Sequence, residues 1–451
     1  MALSWLRAVD TFLWGPGTLA LLVGTGLFLT LRTRFLPWRN LGRALRLALG
    51  REARGGDGPG SITPFAALMT TLAATMGTGN IVGVATALTA GGPGALVWME
   101  LAALPGLATK LTECLLSVKF RRYGRRGEVR GGPMYVMADA LGLGRLGTAL
   151  GAAYALFALG ASFGMGGMAQ SNSIAGAVEV SLGVPPALTG VVTAGLALAV
   201  ILGGVKRVAG VSAALVPVMA ALYLGSCAVA LWSCRGTLPE GVALILRDAL
   251  SPRAAAGGAA GAAVRWGVAR GVFSNEAGMG SAGIAAAEAA SGSPARQGYI
   301  NMTGAFFDTC VVCTMTGLVI CCSGVLGTAE GAVADGAALT LLAFRTALGP
   351  AGTAVVSASV VLFAFTSVLG GAYQGERALQ YLAGGRGTAL YRLAFALAVA
   401  WGAAAEVETV FCLADICNAL MCLPNLTCVL LLSGTAAREL EAFETEFRRR
   451  K

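Results

Sequence analysis

The sequence contains no histidine, and only 12% of its 451 residues are charged. The absence of histidine excludes a histidine proton relay and a histidine-bound metal ion. Soluble domains carry about 25% charged residues, so this composition, with 56% hydrophobic residues, predicts a chain built for a lipid bilayer. The sequence also shows no nucleophile–base arrangement, metal-ligand cluster or nucleotide-binding loop, which argues against an enzyme, an organic cofactor and a nucleotide-driven pump.

The eleven cysteines lie mostly within apolar stretches, so they do not resemble a disulfide framework. Cys310 and Cys313 have a C-x-x-C spacing, which on a helix places both residues on one face. We expect small buried packing residues here, because free cysteine behaves as a small hydrophobe. A redox or metal-binding pair is the alternative.

The hydrophobic segments predict an all-α polytopic membrane protein with about eleven transmembrane helices. We number these segments as spans one to eleven, with the predicted bounds Phe12–Leu31, Ile62–Ala90, Pro93–Val118, Leu146–Ile174, Pro186–Gly204, Val211–Cys234, Val264–Ala287, Tyr299–Val325, Ala354–Gln374, Leu390–Ala405 and Val407–Ser433. Span one is expected to be a leading anchor, because no small-residue cleavage site follows it.

Three shorter segments are predicted to be helices that lie on the surface or across a cavity mouth, because none is long enough to span a bilayer. They are Met134–Leu143, Gly241–Leu250 and Leu339–Leu348. The glycine-rich stretch 257–261 predicts a flexible external linker, and no soluble domain is expected.

The net charge is +10, and the Lys and Arg residues lie in short loops between apolar spans. This distribution is typical of membrane topology, so no nucleic-acid partner is expected. The loops after spans one and three are strongly basic. The loops after even-numbered spans, on the opposite side of the membrane, have few Lys and Arg residues, except the loop after span six, which contains Arg235, Arg247 and Arg253. The positive-inside rule predicts a multi-pass protein of the cell (plasma or inner) membrane, with its amino terminus outside and a basic cytoplasmic tail at 434–451.

Spans two and seven are interrupted in the same way. One break is ATMGTGNIVG at 74–83, and the other is FSNEAGMGSA at 273–282. A backbone that faces lipid cannot leave its polar groups unpaired, so such breaks are expected only where they face protein or a watery cavity. A matched pair of interrupted spans indicates the binding site of a secondary transporter.

The two breaks also divide the chain. Without the extra N-terminal helix at 12–31, the spans form two sets of five, at 62–234 and 264–433. Because five is an odd number, the second set begins on the opposite side of the membrane. The spacing therefore predicts a single transporter domain with a five-plus-five inverted repeat, in which each half opens with a broken helix.

A helix that unwinds inside a membrane frees N–H groups on one side of the break and C=O groups on the other. The N–H groups suit a carboxylate, and the C=O groups are hard oxygen donors that suit a small alkali cation. An amino-acid zwitterion beside sodium needs both. The polar and glycine residues of the breaks that supply these groups are Thr75, Gly77, Thr78, Gly79, Asn80, Ser274, Asn275 and Gly278. Close helix packing through small residues is the alternative for the glycines.

Further polar residues lie within apolar spans. Thr366 and Ser367 in span nine could complete a cation site or bond a helix carbonyl. Gln170 could bind charged groups of a substrate or tie helices together. Charged residues inside a membrane are functional candidates by default, and here they are Glu100, Lys110, Glu113, Glu276, Asp308 and Asp415.

Three of these charged residues have an expected role. Lys110 and Glu113 are spaced to pair on one helix face, which favours a structural pair. Asp308 is expected to hold a polar network or to carry protons. Glu276 is expected to bond freed N–H groups, because a carboxylate beside a substrate carboxylate would repel it.

Several motifs resemble the alanine or glycine:cation symporters, which form the sodium:alanine symporter family. The similarity covers residues 12 to 433, and the longest motif is the second break at 273–282. The other matching motifs are Thr63-Pro64-Phe65, Gly77-Thr78-Gly79-Asn80-Ile81, Gly91-Gly92-Pro93-Gly94-Ala95, Ala108-Thr109-Lys110, Gly131-Gly132-Pro133-Met134-Tyr135, Phe307-Asp308-Thr309, Phe363-Ala364-Phe365 and Gly375-Glu376-Arg377-Ala378.

The resemblance implies a leucine-transporter-like fold and sodium-coupled uptake of small neutral amino acids such as alanine and glycine by alternating access. Sodium is then a co-transported ion. The implied substrate contacts are Thr75, Gly77, Thr78, Gly79, Asn80, Gln170, Phe273, Ser274, Asn275 and Gly278. The implied sodium site consists of backbone carbonyls near Thr75 and Met76 with the hydroxyls of Thr366 and Ser367.

One position departs from the family pattern. Members commonly have a tryptophan after Leu-Gly in span nine, over the substrate side chain, whereas this chain has Gly371. We expect a roomier pocket at this substrate-binding position. A proton-coupled amino-acid carrier of the same fold, and a non-transporting membrane receptor or channel, are the alternative functions; no oligomeric state is predicted.

Overall fold

The computed structural model describes residues 2–124, 128–251, 261–334, 336–406 and 408–449. Within these ranges the chain is helical almost throughout, which confirms the predicted all-α class. One short antiparallel hairpin pairs β1 (Arg122–Tyr123) with β2 (Val129–Arg130). The predicted linker at 257–261 lies outside the described residues except for Gly261, as do Val407 and the basic residues Arg125, Arg126, Arg253, Arg450 and Lys451.

The helices of the first half begin with two that form the leading segment. In chain order they are α1 (Ala2–Leu13), α2 (Pro16–Arg32), α3 (Leu36–Arg39), α4 (Leu41–Leu49), α5 (Arg51–Arg54), α6 (Pro64–Thr75), α7 (Val82–Gly91), α8 (Ala95–Lys119), α9 (Pro133–Ala140), α10 (Arg145–Ala161), α11 (Ala169–Leu182), α12 (Pro186–Ile201), α13 (Gly204–Ser233) and α14 (Leu238–Ala249).

The helices of the second half begin with the second broken span. In chain order they are α15 (Ala262–Asn275), α16 (Ser281–Ala287), α17 (Pro294–Ala305), α18 (Thr314–Cys322), α19 (Ala329–Val333), α20 (Gly336–Leu348), α21 (Pro350–Ala383), α22 (Thr388–Gly402), α23 (Glu408–Leu431) and α24 (Ser433–Arg449).

All eleven predicted spans coincide with helical segments. Seven stretches in the described ranges are long and apolar enough to cross a membrane: Leu3–Arg32, Ala95–Lys119, Arg145–Leu182, Gly204–Ser233, Pro294–Cys322, Pro350–Ala383 and Glu408–Leu431. Of the other four, two are the broken spans. The remaining two, α12 and α22, have 16 and 15 residues and pack against each other. They occupy the same position in their sets of five, which agrees with the predicted repeat.

Two of the long stretches contain π-helical turns, at Ser162–Met168 and Phe306–Cys313. Such turns add a residue to the helix and are frequent at functional sites. The first joins α10 to α11, and the second joins α17 to α18. Both therefore place an irregular backbone in the middle of a span, as the two breaks do.

The leading segment differs from the single predicted span. Pro16 starts α2, because a proline at the first helical position needs no N–H partner there. The preceding α1 is a separate amphipathic helix that packs against α23. An ion pair between Arg7 and Glu408 adds to this contact.

The predicted tail is a helix, α24, that docks against the rest of the protein. Glu444 Oε1 accepts hydrogen bonds from Asn40 Nδ2 at 3.1 Å, from Tyr299 Oη at 3.0 Å and from Arg43. The Arg43 guanidinium lies 5.2 Å from the centre of the Tyr299 ring and 4.6 Å from that of Phe447. The tail thus contacts both α4 and the start of span eight.

The three short segments are helices, as expected, but they are integrated rather than superficial. In α20, Leu339 and Phe344 are fully buried. In α14, the Asp248 carboxylate accepts the Gly94 N–H at 2.7 Å, which caps the start of α8. The short helices therefore pack into the protein, and α14 also caps an end of a long helix, α8.

The loop before α6 is held against the loop before α17. The Asp57 carboxylate accepts hydrogen bonds from Arg296 and, at 2.9 Å, from the Gly292 N–H. The Arg296 hydrogen bond, with the smaller help of Gly292, lowers the pKa of Asp57 below its usual value. Because the folded-state pKa is lower than the unfolded one, this stabilisation is full above about pH 4 and is lost as the pH falls through the folded-state pKa.

We expect Asp57→Asn to reduce the loss of stability that acidification causes. The gain from the ionised carboxylate is at most about 1 kcal/mol, because Asp57 is half-exposed. The melting temperature of the purified protein in detergent, compared at pH 6 and pH 3.5, measures this difference. Glu179→Gln, at an exposed site, is the control; equal acid sensitivity of wild type and Asp57→Asn would contradict the role of the ion pair.

Candidate functional site

A cavity of about 370 Å³ lies between the two broken spans. The broken spans run antiparallel, so that α6 packs against α16 and α7 against α15. Nine of the residues predicted for the substrate or sodium site line this central cavity: Thr75, Gly77, Thr78, Gly79, Gln170, Phe273, Ser274, Ser367 and Gly371. A concave site of this size, lined by small and polar groups, suits a small solute.

The first break redirects two backbone N–H groups. The Gly77 N–H donates to the Thr75 carbonyl at 2.9 Å, and the Thr78 N–H is 3.5 Å from Gln170 Oε1. In an unbroken helix these N–H groups would pair with the carbonyls of Ala73 and Ala74. The break therefore leaves two carbonyls at the end of α6 without their usual partners, and Ala74 lines the cavity.

Thr366 and Ser367, predicted together for the sodium site, point to different neighbours. The Ser367 hydroxyl lies 3.4 Å from the Met76 carbonyl of the first break. The Thr366 hydroxyl donates to the Phe363 carbonyl of its own helix at 2.9 Å and lies 3.4 Å from Met219 Sδ. The Thr366 hydroxyl thus bonds a helix carbonyl, which is one of the two roles expected of it, and its part in the sodium site stays a prediction.

Asn80 is tied to span eight. Its Nδ2 donates to Asp308 Oδ1 at 2.9 Å and to Ser274 Oγ at 3.2 Å, and Ser274 Oγ donates to Asp308 Oδ2 at 2.7 Å. Cys313 Sγ lies 3.3 Å from the same amide. Asp308 thus joins both breaks to the π-helical turn of span eight in one buried network. Of the two roles expected for Asp308, a polar network or proton transfer, this arrangement corresponds to the polar network.

Five predicted site residues do not line the described central cavity. Asn80 is fully buried in the Asp308 network, and Thr366 faces away. The Asn275 side chain accepts the Ala277 N–H at 2.9 Å, which satisfies the second break internally. Gly278, with φ +104°, supplies the turn that only glycine adopts easily, and Met76 presents its carbonyl to Ser367.

The second break is stabilised by two charged residues of α8. Lys110 Nζ donates to the Asn275 carbonyl at 2.7 Å, at the negative carboxyl end of α15. Glu113 Oε1 accepts the N–H groups of Gly278 at 3.0 Å and Gly280 at 3.2 Å, at the positive start of α16. Each charge therefore compensates the half-helix dipole it faces.

This arrangement corrects the expectation for Glu276. The freed N–H groups bond Glu113, to which Asn425 Nδ2 also donates at 2.6 Å. Glu276 has φ +51°, accepts a hydrogen bond from the Ser281 hydroxyl, and lines the central cavity. A carboxylate is thus exposed to the cavity, where it favours a cationic group of a ligand.

Gly371 gives no extra room in the direction of a side chain. A Cβ at this position would lie 2.6 Å from Gly166 Cα in the π-helical turn of span four, and a Cβ on Gly370 would lie 2.6 Å from Ala74 Cα. The two glycines let α21 approach that turn on one side and α6 on the other. The Gly166 backbone therefore fills the side-chain direction at Gly371, and the expectation of a roomier substrate pocket stays a prediction.

The sequence analysis missed Arg270 on α15, which lines the central cavity with Asp415. Arg270 lies inside predicted span seven, and charged residues inside apolar spans are functional candidates, so the sequence itself could have identified it. Ser162, Met165 and Gly166 also line the cavity, because the first π-helical turn brings them there. No simple sequence pattern marks that turn apart from its cluster of glycines.

Two antiparallel broken helices around a central polar cavity, in a multi-pass helical membrane protein, define a secondary transporter. A sequence model of the sodium:alanine symporter family matches residues 1–451. The chain belongs to this family, which confirms the resemblance of its motifs. It is accordingly a transporter.

Curated relatives match over nearly the whole chain. The sodium/alanine symporter AgcS of Methanococcus maripaludis is 46% identical over 440 residues, which cover 98% of this chain and 97% of the relative. The amino-acid carrier protein AlsT of Bacillus subtilis is 36% identical, over 96% of this chain and 90% of the relative. The probable sodium/glutamine symporter GlnT of the same organism is 35% identical, over 96% and 89%.

We expect Glu113→Ala to lower the free energy of unfolding by about 3–5 kcal/mol, because it leaves two buried N–H groups and the Asn425 amide without their shared acceptor. Glu113→Gln keeps one oxygen acceptor and should lower it less. Thermal denaturation of the purified protein measures both effects. Glu179→Ala, at an exposed site, is the control, and an unchanged melting temperature for Glu113→Ala would refute the role of Glu113 at the break.

Proposed function

We propose that this protein takes up small neutral amino acids, alanine and glycine first, by sodium-coupled symport through alternating access. The family membership and the 46% identity to a sodium/alanine symporter support the coupling ion and the substrate class. The observation that carries the proposal is the cavity between the two breaks, which is lined by residues of the first break, with its freed backbone groups, and by polar residues of the second.

The carboxylate of the substrate is assigned to the first break. The N–H groups of the second break already have partners, since Glu113 takes those of Gly278 and Gly280 and Asn275 takes that of Ala277. At the first break, Thr78 and Gly79 line the cavity at the positive start of the outgoing half helix. The Gly79 N–H is therefore the donor assigned to the carboxylate, and the Thr78 N–H joins it by exchanging its long contact of 3.5 Å with Gln170 Oε1.

The ammonium group is assigned to the opposite wall. Phe273 and Ser274 line the cavity there, and the Glu276 carboxylate, which also lines it, supplies the negative charge that attracts the ammonium group. The side chain of alanine or glycine then lies towards the small residues of the cavity, among them Gly166 and Gly371. Because these two backbones touch, side-chain space is limited on this wall, which favours small substrates.

Sodium, as the co-transported ion, is assigned to the end of α6. The carbonyls of Ala73 and Ala74 lack their usual helix partners, and the Met76 carbonyl lies 3.4 Å from the Ser367 hydroxyl. All are neutral oxygen donors, which suit an alkali cation. An ion there bridges α6 and α21, so its binding favours whichever state brings these helices together.

The central cavity extends along α7, α15 and the start of α23, as its lining residues Thr86, Arg270 and Phe411 show. With the predicted orientation, this extension of the cavity is directed towards the outside, and the proposal is that substrate enters from this side. Inward release then requires the two broken spans to move relative to α21.

The direct test is uptake of radiolabelled alanine, glycine and glutamine into proteoliposomes, at fixed pH, with an inward gradient of sodium or of choline. Accumulation of alanine and glycine that needs sodium supports the proposal. Glutamine uptake alone would keep the carrier and replace the substrate. Uptake that follows a proton gradient and ignores sodium would replace the coupling ion, and binding without accumulation would indicate a receptor.

We expect Ser367→Ala to raise the sodium concentration for half-maximal uptake by about tenfold, which corresponds to one lost oxygen ligand. Thr366→Ala is the matched control, because its hydroxyl faces Met219 and its own helix. Sodium titration of alanine uptake distinguishes the two variants. A large effect of Thr366→Ala with none of Ser367→Ala would refute the assignment.

A further inference from the structure

A second cavity of about 260 Å³ lies beside the central one, between α1, α15 and α23. Arg270, Phe273 and Asp415 line both cavities and form the partition between them. Asp10, Trp14 and Trp266 line only the second cavity, which we call the outer cavity.

The outer cavity brings together charges of both signs that lack hydrogen-bond partners. Asp10 Oδ1 and Asp415 Oδ1 are buried, and neither has a hydrogen-bond partner in the described part of the chain. The Arg270 guanidinium lies 5.4 Å from the Trp266 ring centre and 5.7 Å from that of Phe273. Buried polar groups usually are paired, so this combination is unusual outside a binding site.

Arg270 stacks on rings and does not neutralise the carboxylates directly. No ion pair within 4.0 Å that the structure describes involves Arg270, Asp10 or Asp415. The two carboxylates would hold an ammonium group, and the guanidinium would hold a carboxylate. A ligand that carries both groups satisfies all three residues at once.

We propose that the outer cavity is a second binding site for a small amino-acid zwitterion. The zwitterion binds at this site before it moves to the central site. The ammonium group binds Asp10 and Asp415, the carboxylate binds Arg270, and the side chain lies against the indole of Trp266. The identity of the ligand rests on the proposed function, whereas the site itself rests on the charges and the cavity.

The leading helix α1 forms one wall of this site and is fixed there. Arg7 pairs with Glu408, and Trp14 Nε1 donates to the Asp415 carbonyl at 3.1 Å. The Trp14 and Phe273 rings meet edge to face with centres 6.2 Å apart. The leading helix α1 therefore has a specific task, which is to supply Asp10 and to enclose the outer site.

The test is a tryptophan fluorescence titration of the purified full chain with alanine in sodium, run beside the uptake assay. Wild type is compared with Trp266→Phe, which removes the indole proposed to contact the ligand. It is also compared with Asp10→Asn, which removes one negative charge of the outer site. Neither residue lines the central cavity. Glu179→Gln is the matched control for loss of an acidic charge, and methylammonium and acetate serve as ligands with only one of the two charges.

We expect alanine to change the fluorescence of wild type and Glu179→Gln, and this change to be smaller in Trp266→Phe, where Trp14 is the indole that remains in the lining of the outer cavity. Asp10→Asn should weaken the binding by about tenfold and raise the KM for uptake while Vmax is kept. Methylammonium and acetate should bind far more weakly than alanine.

A wild-type titration without a Trp266-dependent change, or one that Asp10→Asn leaves unaltered, overturns the outer site. If sodium-dependent uptake persists in that case, the proposed function stands without it. If uptake fails while Trp266-dependent and Asp10-sensitive alanine binding persists, the outer site stands and the symport proposal falls.

Discussion

Lys110 and Glu113 are one turn apart on α8, and the second break depends on both of them. A helix that ends inside a membrane exposes partial charges that lipid cannot solvate. Lys110 compensates the negative end at Asn275, and Glu113 compensates the positive start at Gly278 and Gly280. With those groups satisfied, the remaining free backbone groups are concentrated at the first break. The two breaks are therefore unequal in chemistry although they are alike in sequence.

Close backbone contacts then set the geometry between the breaks and α21. Gly370 allows α21 to approach Ala74 at the end of α6, and Gly371 allows it to approach Gly166 of the first π-helical turn. Ser367, one turn earlier, is thereby placed beside the Met76 carbonyl. Interfaces built on backbone contact tolerate little sliding, because even a methyl group would collide. Movement between states is therefore expected as a rigid displacement of whole helices.

The spans and breaks could be predicted from the sequence because hydrophobic runs and clusters of glycine are local signals. The partners of the breaks could not, since Glu113 and Asn425 come from distant spans. Thr366 and Ser367 show the same limit at a finer scale: adjacent helix residues point about 100° apart, and the sequence does not reveal which one faces the break. Gly371 indicated a missing side chain, but the turn at Gly166 that fills its place depends on packing.

The docking of the tail helix has a consequence for the order in which the protein is completed. Asn40, Arg43 and Tyr299 all converge on Glu444, which follows Arg43 by 401 residues. During synthesis, the Arg43 guanidinium and the Tyr299 hydroxyl emerge long before their shared acceptor is made. All the predicted transmembrane spans precede Glu444 in the chain, so this contact forms only after they have all been synthesised. It therefore takes no part in the insertion of the earlier spans.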